Sequence, residues 1–209
     1  FTTRGEHLEL ADAYLTQRGA GPLTALSALD AGTMAGSLTM LLLKRAVGRL
    51  EATDDNPNAI RSVNDDLVRA DARGRVELRR GELVPEGPPV DLILHFAPAA
   101  AGAGPAAGAE AGAEPPGDVQ TARSAAVLAA AARRLAPAGR LVVLSSNLHE
   151  LVGEPSVCPL AAALASQEHF RVVNRMERPL GSASRPRDPQ WLQQLRARER
   201  AQLWELEPR

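Results

Sequence analysis

The sequence predicts an α/β fold: a doubly wound, mostly parallel sheet with helices on both faces and an antiparallel pair of strands at one edge. Three observations predict it. Strand-like apolar runs alternate with helical stretches along most of the 209 residues. The runs at 90–96 and 140–145 are dominated by Leu, Ile and Val, as strands covered on both faces are. The last two strand-like runs, 170–176 and 202–206, alternate in polarity instead and suit an antiparallel edge pair.

The elements follow in order. Residues 1–18 carry Leu8, Ala11, Tyr14 and Leu15 at helical spacing, and Gly19 and Gly21-Pro22 end the helix. A strand at 24–31 leads to a helix at 36–47, and a strand at 49–54 leads to a helix at 57–70, where Asn56-Pro57 supplies the turn and a first-turn proline. Strands at 75–79 and 90–96 precede a long alanine-rich helix at 119–135. The strand at 140–145, a helix at 160–167, the strand at 170–176, a helix around 191–200 and the strand at 202–206 complete about seven strands. Residues 99–117 are almost wholly Ala, Gly, Pro and Glu, too little side chain to bury, and are expected to form a mobile loop within a single domain spanning 1–209. Residues 181–189, rich in Ser, Pro and Arg, read as a second loop.

Composition excludes several classes. Hydrophobic residues at 44% and charged residues at 23% rule out a wholly disordered chain and a fibre. A formal charge of −1 rules out a uniformly basic nucleic-acid coat. Cys158 is the only cysteine, which excludes a disulfide framework and a cysteine-based zinc site and makes a reducing, cytoplasmic setting the expectation. Cys158 itself, beside an apolar helix, reads as a small packing residue. No apolar run reaches the ~18 residues of a membrane helix. Histidines 7, 95, 149 and 169 show no metal-ligand spacing, so no metal site is expected. Lys44 is the only lysine, which points to coding-sequence bias more than to arginine-specific chemistry. From residue 171 onward nine arginines face five acids, and with Trp191 this stretch reads either as a solvated face or as a surface for phosphates and a base. The chain opens at Phe1 without an initiator Met or a charged and apolar leader, so a fragment of a longer protein is expected.

The most informative piece is Leu29-Asp30-Ala31-Gly32-Thr33-Met34-Ala35-Gly36, at the end of the first strand and the start of a helix. Glycines there let a ligand approach the backbone, and the helix N-terminus offers N–H groups. An acid about 20 residues further on can hold a ribose, and Asp54 or Asp55 stands at the end of the second strand. A tight strand-to-helix turn that binds nothing has the same pattern. His95 reads either as a base beside the ligand crevice or as a strand-end histidine with no catalytic duty. His149 and Glu150, after the fifth strand, read as crevice-lining or as a solvated loop.

On these residues the chain resembles the class I S-adenosylmethionine-dependent methyltransferases. Asp30, Gly32 and Gly36 match the acid and outer glycines of that family's first motif, while Met34 replaces the central glycine that lies against the cofactor. The resemblance makes Asp54 the ribose-binding acid and Glu82, in Gly81-Glu82, the residue that contacts the adenine amino group. The run Arg134 to Leu141 is similar to the family's turn into strand five. The resemblance implies a Rossmann-like seven-stranded sheet and S-adenosylmethionine as cofactor. It also exposes a departure. Amino-group methyltransferases of this fold end strand four with Asn-Pro-Pro-aromatic, whose asparagine accepts from the substrate amine; here Phe96 takes that place and only Pro98 survives. Phenylalanine accepts no hydrogen bond.

That loss is similar to the degenerate amino-terminal domain of ribosomal-RNA guanine-N2 methyltransferases of the RsmC and RlmG type. The leading Leu10 to Leu15 helix and the closing Gln202-Leu203-Trp204-Glu205 strand fit it too. The resemblance implies a scaffold or RNA-holding role, ribosomal RNA as partner, and a catalytic carboxyl-terminal domain in the same parent chain. The alternative is an active methyltransferase acting on a nucleobase or protein amine, with His95 and Pro98 as the candidate catalytic residues.

Overall fold

The computed structural model describes residues 5–19, 22–97, 116–152, 158–181 and 190–209. Seven strands form one sheet: β1 (Ser27–Ala31), β2 (Arg49–Asp54), β3 (Val76–Arg80), β4 (Val90–Phe96), β5 (Leu135–Ser146), β6 (Phe170–Pro179) and β7 (Arg200–Pro208). Among the described residues seven α-helices accompany them: α1 (Gly5–Arg18), α2 (Ser37–Lys44), α3 (Pro57–Arg69), α4 (Pro116–Arg134), α5 (Leu148–Val152), α6 (Pro159–Ala165) and α7 (Gln190–Arg196). The strand order is β3-β2-β1-β4-β5-β7-β6. β7 runs antiparallel to both β5 and β6, and the other neighbouring strands pair in parallel.

Side-chain alternation builds the two layers. On β4, Leu92, Leu94 and Phe96 face one side and Ile93 the other; on β5, Val142 and Leu144 oppose Leu141 and Val143. The first side is covered by α1, α2 and α3 through Tyr14, Leu15, Leu42 and Leu67, the second by α4 and α6 through Leu128 and Leu160. A fully buried aliphatic side chain contributes about 1.5–3 kcal/mol, so the centre of the sheet at Leu92, Ile93 and Leu94 holds both layers together. The helix α3 starts where the sequence says it should: the Asn56 side chain caps the Asn58 N–H at 2.9 Å and Pro57 occupies the first turn. The helix α2 starts differently, at Gly36 with φ 80°, where an added Cβ would lie 2.9 Å from Val63 Cγ2.

Several expectations change: the first strand is shorter (Ser27–Ala31), α7 ends at Arg196, and β6 and β7 run on to Pro179 and Pro208. The strand expected from 140 is joined by Leu135, which pairs with Val90; the next pair is Leu92 with Arg140, so the Ala-Pro-Ala-Gly stretch bulges out of the ladder opposite Asp91 alone. A short helix, α5, follows β5 where a loop was expected. Residues 98–115, most of the low-complexity stretch, lie outside the described residues, and α4 begins at Pro116. Among the described residues no helix is long and apolar enough to cross a membrane.

Candidate functional site

At the carboxyl end of β1 the backbone keeps bonding to β2: Gly32 N–H and Thr33 N–H both donate to the Thr53 carbonyl, at 2.9 and 2.8 Å. The chain then turns through positive φ at Gly32 (80°), Met34 (52°) and Gly36 (80°). Met34 is the costly member, since the left-handed region costs a residue with a Cβ about 1–2 kcal/mol. Its side chain packs toward the α1–α3 layer. Its backbone N–H donates to Asp54 Oδ2 at 2.8 Å. Asp54 Oδ1 accepts from the Asn56 N–H at 2.9 Å, and the residue is only 5% exposed. The carboxylate at the end of β2 is thus buried, with each oxygen on a backbone donor.

Asp30 lies deeper and is fully buried. Its Oδ2 accepts from Thr39 Oγ1 at 2.6 Å. Because the Thr39 proton points at Asp30, the 2.7 Å contact between Thr33 and Thr39 is Thr33 donating to Thr39. Asp30 Oδ1 is buried with no partner among the described residues. Burial pushes the carboxyl up to about 6, against the lowering effect of the Thr39 bond.

The segment after β3 closes over this loop. Thr53 Oγ1 donates to the Leu83 carbonyl at 2.5 Å, and the Leu83 side chain lies 3.4 Å from where a Cβ on Gly32 would be. The side chain of His95 also faces Gly32, with Nδ1 at 3.8 Å from that same point. Nδ1 lies 2.7 Å from the Ala31 carbonyl, which can only accept, so this nitrogen carries the proton and Nε2 the lone pair. Burial holds the His95 imidazole below its usual range, and Arg123 adds to the effect. The next residue, Phe96, points to the other layer, where its ring meets His7 edge-on at 5.0 Å. His7 in turn reaches the Ser145 carbonyl from Nε2 at 2.8 Å. Pro98 lies outside the described residues.

Glu82 is exposed on the wall of a cleft of about 950 Å³ between the 81–87 segment and one face of α4. Arg123, Ala130 and Arg134 line the α4 side. Asp55, and not Asp54, reaches this cleft. At its floor Arg134 Nη2 donates to both Glu51 oxygens, at 2.7 and 2.6 Å, and Arg134 Nε to the Pro85 carbonyl at 3.1 Å. Both side chains of the pair are no more than 3% exposed.

The structure therefore brings Asp30, Gly32, Gly36 and Asp54 to one turn, with Glu82 on the adjoining cleft. His149, expected in the crevice or a solvated loop, is half-buried in α5, and Glu150 pairs with Arg175. Three features were not legible: the Met34–Asp54 bond, the Glu51–Arg134 pair and the Thr33-Thr39-Asp30 relay. Only the last left a signal, two threonines on either side of Gly36 after a strand-end acid.

No family model and no curated protein matches the sequence. Solved structures do match in shape. TrmN from Thermus thermophilus superposes with a TM-score of 0.65 at 17% identity, over 97% of this chain and 49% of TrmN. The tRNA methyltransferase TrmK from B. subtilis gives 0.59 at 13% identity, over 98% of this chain and 66% of that one. The O-methyltransferase from Bacillus cereus in complex with SAH gives 0.59 at 14% identity, over 99% and 82%. The chain spans about half the length of TrmN. At these identities the likeness is one of fold, and together with the strand order it establishes that this chain has the fold of the class I S-adenosylmethionine-dependent methyltransferases.

Proposed function

We propose that this chain is the methyltransferase-like domain of an S-adenosylmethionine-dependent ribosomal-RNA guanine-N2 methyltransferase, catalytically degenerate itself and serving as a scaffold or RNA-holding domain beside a catalytic partner domain. The observation that carries the reading is Phe96. It stands where an amino-group methyltransferase needs an acceptor for the substrate amine, and its ring is committed to the α1 layer against His7. His95 beside it is neutral, and its Nδ1–H is tied to the Ala31 carbonyl.

The cofactor fits this chain at one end only. Bound S-adenosylmethionine supplies an electrophilic methyl group. Exposed Glu82 on the open cleft suits the adenine amino group. Asp54 does not suit the ribose while it is buried and holds the Met34 and Asn56 N–H groups. Gly32 and Gly36 shape the turn, and Asp30 acts from beneath it through Thr39. Cofactor binding is accordingly weak. RNA as the partner is supported by a neighbour of the same fold that is a tRNA methyltransferase.

Incubation of the chain with tritiated S-adenosylmethionine and ribosomal RNA lacking the guanine-N2 methyl groups tests the reading. No methyl incorporation above background is expected. Incorporation that is lost with His95→Ala would instead establish an active enzyme with an acceptor other than Phe96.

A further inference from the structure

Two sets of arginines at opposite edges of the sheet contrast. On the β6–β7 edge they are neutralised internally: Arg171 by Glu207, Arg175 by Glu150 and Glu177, Arg178 by Glu9, Arg200 by Glu177. The four arginines of β6 and β7 that carry this charge are in this sense self-paired. At the opposite edge the pattern reverses. Among the described residues no side-chain hydrogen bond or ion pair holds Arg61, Arg73 or Arg80.

These three side chains come from three different elements and line one groove of about 520 Å³. Arg61 lies on α3, Arg73 on the single 3-10 turn Arg73–Arg75, and Arg80 at the end of the edge strand β3. Period-2 alternation sets the floor: Val76 and Leu78 share the face of Arg80, while Arg79 turns to the other face and meets the Glu86 carbonyl and Glu51. Ile60, one residue before Arg61 on α3, completes an apolar strip. Three unneutralised guanidinium groups around an apolar floor suit a ligand with repeated anions joined by less polar units. A guanidinium fork matches phosphate oxygens two at a time.

We infer that this groove binds the phosphodiester backbone of a single-stranded RNA segment, with riboses resting on Ile60, Val76 and Leu78. The inference rests on the RNA reading above and deepens it by giving the RNA a place on the chain. The groove is also well sited for it. Its α3 end begins at Pro57, just after the Asp54 turn, and Arg80 pairs with Asp54 across the β2–β3 ladder. RNA lying there reaches the rim that carries Gly81 and Glu82. Among the described residues no aromatic ring lines the groove, so bases are not stacked and binding is independent of base identity.

Fluorescence anisotropy of the whole chain with a labelled uridine dodecamer, and with its adenosine counterpart, tests this. The wild-type chain binds both alike, with a salt slope of about −2, the value for three phosphate contacts on a single strand. Each of Arg61→Gln, Arg73→Gln and Arg80→Gln, all at exposed positions, weakens binding several-fold, and the triple variant lowers affinity by at least about tenfold and flattens the slope. Arg171→Gln/Arg178→Gln leaves affinity within about twofold of wild type. Undiminished binding by the triple variant overturns the groove and leaves the RNA reading standing. No binding by the wild-type chain overturns both. Displacement of RNA by an equally charged poly-glutamate peptide as readily as by unlabelled RNA overturns the choice of RNA and assigns the groove to an acidic protein segment.

Discussion

The Met34 backbone N–H donates to the Asp54 carboxylate at 2.8 Å, so the residue that replaces a glycine in the turn also seals the acid at the end of β2. The side chain of Met34 itself packs toward the α1–α3 layer. The turn is held by its backbone, through a left-handed residue and the burial of Asp54.

Asp54 is consequently a structural residue in the closed turn. Asp54→Ala strands two N–H groups, each costing about 1–3 kcal/mol when unsatisfied, so a loss of about 2–6 kcal/mol is expected in urea unfolding. An acid kept only for a ligand would change stability by less than about 0.5 kcal/mol.

The Glu51–Arg134 pair joins β2 to the end of α4 beneath the cleft. Glu51→Gln leaves a buried guanidinium without its counter-charge and costs about 3–5 kcal/mol. The double variant Glu51→Leu/Arg134→Met recovers most of that loss, and a double-mutant cycle by chemical denaturation measures it. Equal losses in the single and double variants would show that the pair's packing, and not its charge, matters.

Asp30 and His95 give the fold opposing pH dependences. Asp30 is raised from 3.8 to about 6, so between these values the folded chain binds more protons than the unfolded one and stability falls as pH rises. His95 is lowered from 6.5, so its contribution is present above pH 6.5 and is lost as pH falls toward the folded value; His149, also lowered by burial, has the same sign. Asp30→Asn therefore steepens the loss of stability on going from pH 7 to pH 5, and His95→Asn makes it shallower or reverses it. Unfolding midpoints at the two pH values give the comparison, and shifts in the same direction for both variants would contradict it.

Much of the fold was legible because its signals are local. β2 and β4 keep the bounds read from sequence, 49–54 and 90–96, since polar or proline-containing turns flank their apolar runs. β5 begins earlier than read because Leu135 pairs with Val90 ahead of the Ala-Pro-Ala-Gly bulge, and the regular ladder starts at Arg140, where the sequence places it. Of the site, the gathering of Asp30, Gly32, Gly36 and Asp54 follows from topology once strand-helix alternation is read. What Asp54 bonds to does not, since a backbone N–H leaves no mark on residue type. Glu51 and Arg134 are 83 positions apart, and neither differs in sequence from a surface charge.

Isothermal titration of the chain with S-adenosylmethionine, wild type beside Met34→Gly, tests the closed turn most directly. The backbone N–H survives in the glycine variant, so both are expected to bind no tighter than about 1 mM, about −4 kcal/mol. Micromolar binding by the wild-type chain, abolished by Asp54→Ala in protein that remains folded, would show that the Asp54 carboxylate is open to the ribose and would contradict the account.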